Sequence, residues 1–411
     1  MRLFTEENTI TDWAFAQSPH GHLYCLRDDG VILVCTLLPE QQVIAWSRIK
    51  LDYPVQSLCV IPENGRDTLY LAAQTRRRTK TAGVYSAPIL ESAILRLEEL
   101  PVDQAGANAL DLFLEAEAPV LTTVASTVVG NHLPGAGVGF ELISFPPLIK
   151  VATTANMTGI INIGDKIMIE GMDGFEQKYG GTDPDWMHPS QSFLNGKHFI
   201  VSRVDADGIL FPSGITDYWP SFDATEALDN TFSYWRSGGT IKKALTSVSG
   251  LDHLRDRWTK LIVDGKDITT TVRVNPDTAV SPPGFNLTTS TGFHVIVGLP
   301  FVAELKTLPP GGQMLPGGRK RINRVRLRVQ ETAGLEVAPD LGDDDEIAQW
   351  QPVRPDDGSS DLSLAGQVCK SFIFTQPVDP NWTTQGGLRL RSTSPLPCTI
   401  LNVIPEVENG N

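Results

Sequence analysis

The chain is 411 residues long and carries 34 Lys and Arg against 48 Asp and Glu, a net charge of −14. Its length holds about two to four domains, each large enough to bury its own core, and the acidic balance excludes a protein that coats nucleic acid by displacing counterions. A hydrophobic share of 41% excludes a disordered chain, and 36 Gly with 29 Pro favour short strands joined by turns over helical bundles.

The first twenty residues place Glu6 and Glu7 where a secretory signal would carry basic residues and an apolar core, so no such signal is expected. The most apolar run, Val31 to Leu38, stops at Pro39 and is too short to cross a membrane as a helix. Five cysteines (Cys25, Cys35, Cys59, Cys369, Cys398) lack CxxC spacing and read as buried free thiols.

From Leu23, the string LYCLRDDGVILVCTLLPEQQVIAWSRI sets Asp29-Gly30 between two apolar segments, a hairpin signal. With Ser57 to Ile61 and Thr68 to Ala73, the first 75 residues hold about six antiparallel strands, the rhythm of a propeller blade or an open meander. A four-bladed ring needs roughly sixteen strands, so this segment is a partial unit completed by another chain or an ordinary open sheet. Ile89, Leu90, Ala93, Ile94 and Leu97 recur at three- and four-residue spacing, which predicts one amphipathic helix between Pro88 and Leu100 with Ser86 as its cap. The run Arg76 to Lys80 reads as a solvated loop.

A further section opens near Thr154 with INIGDKIMIEGM, where Ile161, Ile163, Ile167 and Ile169 share parity around a turn at Gly164-Asp165 and imply two strands. A Gly- and Pro-rich loop follows, then a hairpin turning at Asp205 to Gly208, a Trp-rich loop and SGGTIKK, which together suggest a small β-barrel. From about Ala244 the clearest strand is NRVRLRV: Val325, Leu327 and Val329 share one face, and Arg324, Arg326 and Arg328 the other. Three unpaired charges cannot enter a core, so that face is wet or meets acidic groups of a partner, such as the segment Asp343 to Glu346. Alternating segments at His294 to Gly298, Val368 to Thr375 and Leu388 to Arg391 complete an antiparallel sandwich. The expected fold is mainly β: a propeller-like meander with one short helix over 1–100, a β linker over 101–153, a small barrel over 154–243 and a β-sandwich over 244–411.

Signals for chemistry are sparse. His20-Gly21-His22 sets two imidazoles on one side of a strand without an evident third ligand, so no metal site is assigned. Asp205-Ala206-Asp207-Gly208 resembles the start of a calcium loop, but Ile209 and Thr216 stand where ligands belong, and it reads as a turn. Asp183, Asp185 and His188 beside Trp186 form the most enzyme-like patch, in a loop of surface composition. GAGVGF, Gly135 to Phe140, lacks the last glycine of a dinucleotide fingerprint, and GxSxG, Walker A and HExxH strings do not occur. No catalytic residue and no cofactor are assigned.

Three groups of segments together resemble the tail nozzle, or tubular protein B-like, family of short-tailed phages, some of whose members carry a barrel like the FCCH domain of ubiquitin-activating enzymes. They are ITDWAFAQSPHGHLYCLRDDGVILVCTLLPEQQVIAWSRI; INIGDKIMIEGM with LNGKHFIVSRVDADGI and SGGTIKK; and VSGLDHLRDRWTKLIVDGK, VGLPFVAELKTLP, GRKRINRVRLRV and LPCTILNVIPEV, in the family's order. The resemblance covers about two thirds of the chain. It implies a homo-oligomeric, hexameric virion protein, made in the host cytoplasm, that forms a ring at the distal end of the tail. The genome leaves through this ring without specific binding, past a like-charged wall. The neighbours it implies are other tail proteins, an adaptor or tubular A-like protein and the fibres; catalysis is not expected. The basic group Arg319, Lys320, Arg321, Arg324, Arg326 and Arg328 is then the candidate subunit interface. Trp186, Trp219 and Trp235 are the candidate stacking surfaces of the alternative, a tail-associated receptor- or carbohydrate-binding module.

Overall fold

In the computed structural model the described residues are 8–97, 110–128, 148–171, 176–178, 196–206, 208–212, 233–235, 239–277, 283–287, 291–307, 320–340, 350–353, 365–367, 370–378 and 387–409. Nearly all regular structure among them is antiparallel strand, with two single-turn 3-10 helices at Pro39–Gln41 and Asp252–Leu254. The chain divides into two compact units, each assembled from separated segments: Met1–Glu115 with Val248–Phe285 and Ile296–Asn411, and Ala116–Ser247 with Asn286–Val295.

The first unit begins with a four-stranded meander, sheet A: β1 (Ile10–Ala16), β2 (Gly21–Arg27), β3 (Ile32–Leu38) and β4 (Val43–Ile49). The Asp29-Gly30 hairpin forms as expected. The Arg27 amide donates to the Val31 carbonyl (2.9 Å) and the Gly30 amide to the Arg27 carbonyl (3.0 Å). Gly30 sits at φ +81°, the left-handed position that closes a three-residue hairpin loop. Sheet B follows, β5 (Val55–Glu63), β6 (Arg66–Arg77) and β9 (Ile89–Arg96), with a two-stranded arm, β7 (Lys80–Thr81) and β8 (Val84–Tyr85), between the last two. Leu26, Ile32 and Val34 of sheet A pack on Leu58, Leu69 and Leu71 of sheet B as one core.

Two expectations fail here. The segment after Pro88 is the strand β9, not a helix, and Ser86 caps no helix: its hydroxyl donates to the Ala87 carbonyl and bonds Thr79 across the arm. The whole of β9 pairs with β6, from Arg77↔Ile89 to Tyr70↔Arg96. Those ladder bonds override the helical spacing and leave apolar residues on both faces: Ala93 and Leu95 turn towards the core, and Leu90 and Ile94 turn away. The basic run is likewise no loop throughout, since Arg76 and Arg77 end β6 and Arg77 pairs with Glu91 at 2.5 Å.

The same unit holds a five-stranded sheet of β10 (Leu110–Glu117), β24 (His294–Pro300), β21 (Trp258–Val263), β22 (Lys266–Arg273) and β29 (Ala365–Gln367), in that spatial order. The segment His294 to Gly298 belongs to this sheet and not to the sandwich. It does not alternate, because Val295 through Leu299 are buried on both faces.

The sandwich packs sheet C, β30 (Lys370–Pro377), β26 (Lys320–Thr332) and β32 (Thr399–Asn409), on sheet D, β25 (Ala303–Lys306), β31 (Gly387–Ser392), β27 (Leu335–Asp340) and β28 (Gln351–Pro352). Val325, Leu327, Val329 and Phe374 meet Leu335, Val337, Leu388 and Leu390 in its core, as the alternation of β26 predicts. Gly334 turns β26 into β27 at φ +64°, and a Cβ there would lie 2.4 Å from the Ser394 Cβ. Gly334→Ala combines a steric clash with a backbone that L residues avoid, so it should cost about 2–3 kcal/mol. A thermal melt would register that as a loss of about 5–10 °C.

The second unit is built on a seven-stranded sheet: β15 (His198–Ile200), β13 (Lys166–Glu170), β19 (Thr240–Lys243), β11 (Val120–Val128), β12 (Leu148–Thr153), β17 (Gly208–Pro212) and β16 (Arg203–Asp205), in that spatial order. Beside it lie the pair β14 (Glu176–Lys178) with β18 (Ser233–Trp235). The last two-stranded pair is β20 (Ser247–Ser249) with β23 (Gly284–Asn286). The expected small barrel is not closed: the outer strands β15 and β16 are not hydrogen-bonded to each other among the described residues. The sheet also draws β11 and β12 from the stretch read as a linker. The β16–β17 hairpin turns between Asp205 and Gly208, as expected. Only β13 forms from INIGDKIMIEGM. The turn closed by the Asp165 amide donating to the Asn162 carbonyl (3.1 Å) breaks the parity, leaving Ile163 73% exposed at its corner while Ile161, Ile167 and Ile169 are buried.

Candidate protein interface

The strongest concentration of unsatisfied chemistry among the described residues is the outer face of sheet C. Along β26, burial alternates from Arg324 to Val329, so Arg324, Arg326 and Arg328 point out as Val325, Leu327 and Val329 point in. The three guanidinium groups make no ion pair or hydrogen bond among the described residues. Glu406 stands opposite Arg324 in the β32 register without pairing to it. Flanking residues in register are Ile373 and Thr375 on β30 and Asn402 and Ile404 on β32. Ile373 (60%) and Ile404 (48%) are well exposed. The face is thus a cationic row between apolar side chains, with few acceptors of its own.

Of the other basic candidates, Lys320 is buried, Arg321 is held by Glu408 (Nε to Oε2, 2.7 Å), and Arg319 lies outside the described residues. Hydrogen bonds from Asn323 and Arg321 hold the Glu408 carboxyl below its usual range, so this end of the strand is already neutralised.

Sheet D treats the same motif differently. Arg389 and Arg391 alternate along β31 as the β26 arginines do, but each has a carboxylate. Arg391 Nε donates to Glu336 at 2.6 Å, and its guanidinium lies over the Trp350 ring, 4.2 Å from the centroid. Arg389 Nε donates to Asp340 at 3.2 Å, and Lys306 reaches the same oxygen at 3.2 Å. Two sheets of one sandwich carry arginine rows, one answered by carboxylates and one left open among the described residues.

Other titratable groups are better explained by packing. Burial pushes the Cys398 thiol up to about 11, and it raises Cys25 and Cys35 as well, so none of the three is an activated nucleophile. Cys25 and Cys35 are buried, as expected of free thiols; Cys59 is exposed, and Cys369 lies outside the described residues. His20 and His22 are near each other, with ring centroids 6.3 Å apart.

Asp267 on β22 is 2% exposed. One carboxylate oxygen accepts from the Ser394 hydroxyl at 2.9 Å, and the other meets no donor among the described residues. Burial raises the acid above the usual carboxylate range, against the hydrogen bond from Ser394 and the Lys260 charge, which pull it down. Below an ordinary carboxylate pKa of about 4 both folded and unfolded chains keep this proton, and the group is neutral to stability. As pH rises past that value the unfolded chain alone releases it, and stability falls until the raised folded value is passed. Asp267→Asn removes this dependence, so the melting temperature of the variant relative to wild type should be higher at pH 7 than at pH 4, whatever constant cost the amide carries.

The aromatic candidates fall outside what the structure describes. Trp186 and Trp219, with Asp183, Asp185 and His188, lie outside the described residues; Trp235 ends β18, whose side chains are not described. The string Gly135 to Phe140 and the acidic segment Asp343 to Glu346 also fall outside them. No protein-family model matches the chain, and no curated protein matches it. No helix among the described residues is long and apolar enough to cross a membrane.

Proposed function

We propose that this chain is a structural subunit of a phage tail: a homo-oligomeric virion protein, six copies favoured, that forms a ring at the distal end and lets DNA pass without binding it specifically. The observation that carries this reading is the open arginine row on sheet C. Among the described residues, Arg389 and Arg391 are answered by carboxylates while Arg324, Arg326 and Arg328 stand unanswered between exposed isoleucines. Such a surface is stable in water and gains most when an acidic, partly apolar surface covers it. A neighbouring copy is that surface, since the chain has 14 more acidic than basic residues.

The order of segments resembling the nozzle family supports the ring, its place in the tail, and an adaptor and fibres as its neighbours. The role is mechanical, and no cofactor enters it. Imaging the purified chain by electron microscopy, alone and with extracted tail components, tests this. Rings that cap tail tips are expected. A protein that stays a single chain and leaves the tips bare contradicts the proposal.

A further inference from the structure

The connection between β31 and β32, residues 393–398, is fastened to the five-stranded sheet by side chains. Lys260 Nζ on β21 donates to the Thr393 carbonyl at 2.6 Å, and the Ser394 hydroxyl bonds Asp267 on β22 at 2.9 Å. Leu396 packs beside Ile262 and Ile296, and the Ala333 amide, at the turn between β26 and β27, donates to the Pro397 carbonyl at 3.2 Å. The strands on either side of β22 are held by ladders of backbone bonds, whereas this connection is irregular. It is therefore the element over the sheet that gives way at least cost.

Asp267 is an awkward anchor when ionised. It is 2% exposed, and its second carboxylate oxygen faces neither water nor a donor among the described residues. The nearby Ser392 hydroxyl on β31 is buried and likewise without a partner. A buried charge with an unanswered oxygen is costly. A neutral acid fits better: the 2.9 Å contact then carries the acid proton to the Ser394 oxygen, which also accepts from the Leu396 amide at 3.3 Å, and only a neutral carbonyl stays unanswered. The charge that faces Asp267 is the Lys260 ammonium from β21, and burial outweighs its pull. Gln367, opposite on β29, and Ala333 and Gly334, in the turn behind Ser394, are uncharged. Residues 393–398 contain no Asp, Glu, Lys, Arg or His, and the Cys398 thiol, pushed up to about 11 by burial, stays neutral below that value.

We propose that Asp267 and Ser394 form a proton-operated latch: with its proton on, Asp267 holds residues 393–398 closed on the five-stranded sheet, and losing the proton lifts them so that water reaches the carboxylate. With the connection lifted, the solvated acid ionises near pH 4, as carboxylates ordinarily do. With it closed, the proton stays on to higher pH. Below the first value both forms are neutral and opening does not depend on pH. Between the two values opening gains about tenfold per pH unit, and above the second it levels off. Thr399, the residue after the connection, begins β32 at the edge of sheet C, where its amide donates to Thr332 Oγ1 at 2.9 Å. The latch thus loosens one end of the sheet that carries the open arginine row.

The test is amide hydrogen exchange of the full-length chain from about pH 5 to about pH 8, corrected for the chemical exchange rate at each pH. The Leu396 and Ala333 amides report the connection, and amides of β21 report opening of the whole core. In wild type the first two should exchange faster than β21 at every pH, with an opening constant that rises about tenfold per pH unit before levelling. Asp267→Asn cannot ionise and should give a flat profile. An opening constant that is flat in wild type overturns the latch, and this holds whether or not the variant folds. A rise of equal size in Asp267→Asn overturns the assignment to Asp267. Exchange of Leu396 and Ala333 at the rate of β21 throughout overturns local opening, since the connection then moves only when the core unfolds.

Discussion

Replacing Arg324, Arg326 and Arg328 together by glutamate should leave the chain folded and dissolve its assembly. The three side chains are exposed and pair with nothing among the described residues, so the folded state loses no contact when they change. Surface substitutions of this kind stay within about 0.5 kcal/mol, or about 2 °C in the melt. The docked state is different. Removing one member of a charge pair that docking has desolvated costs about 2 kcal/mol or more, so Arg326→Ala alone should weaken association about 30-fold. The triple reversal sets like charge against the acidic neighbour and should abolish it. Thermal melts and sedimentation on the same samples separate the two effects. A triple variant that assembles normally would remove sheet C from the interface.

Arg389→Ala should do the reverse. The Arg389 side chain is 11% exposed and holds Asp340, whose side chain is 3% exposed. Without it, the carboxylate loses its most buried cationic partner, since Lys306 is 45% exposed. Breaking a buried ion pair from one side strands a charge in low dielectric and costs about 3 kcal/mol or more. A loss of about 6–12 °C in the melt is expected, with little change in the association of whatever remains folded. Equal stability losses for Arg326→Ala and Arg389→Ala would mean that the two rows are not the opposites described above.

These two arginine rows also mark how far sequence reads. Alternation in NRVRLRV and in GLRLRS identifies two strands with one apolar face each, and both form. Alternation cannot say which row finds carboxylates, because Glu336 and Asp340 reach Arg391 and Arg389 from 55 and 49 positions away through the β27–β31 register. The turn at Asp29-Gly30 was legible because its chemistry is local. The helix expected after Pro88 failed for the converse reason: its local spacing is helical, and non-local pairing with β6 overrode it. The exposed Leu90 and Ile94 of β9 were hidden by that choice, since a helix would have turned them to a core. Ile163 shows the same limit on a smaller scale, as the Asn162–Asp165 turn takes it from the buried row into solvent.

Light scattering on the purified wild-type chain over a range of protein and salt concentrations tests the central claim most directly. A mass of several chains, six favoured, is expected at low salt. It should fall as added salt screens the sheet C arginines from their acidic neighbours, because contacts between exposed charges fade once the screening length drops below about 10 Å. A constant single-chain mass of 44.8 kDa across that range, with and without tail components, would contradict the account.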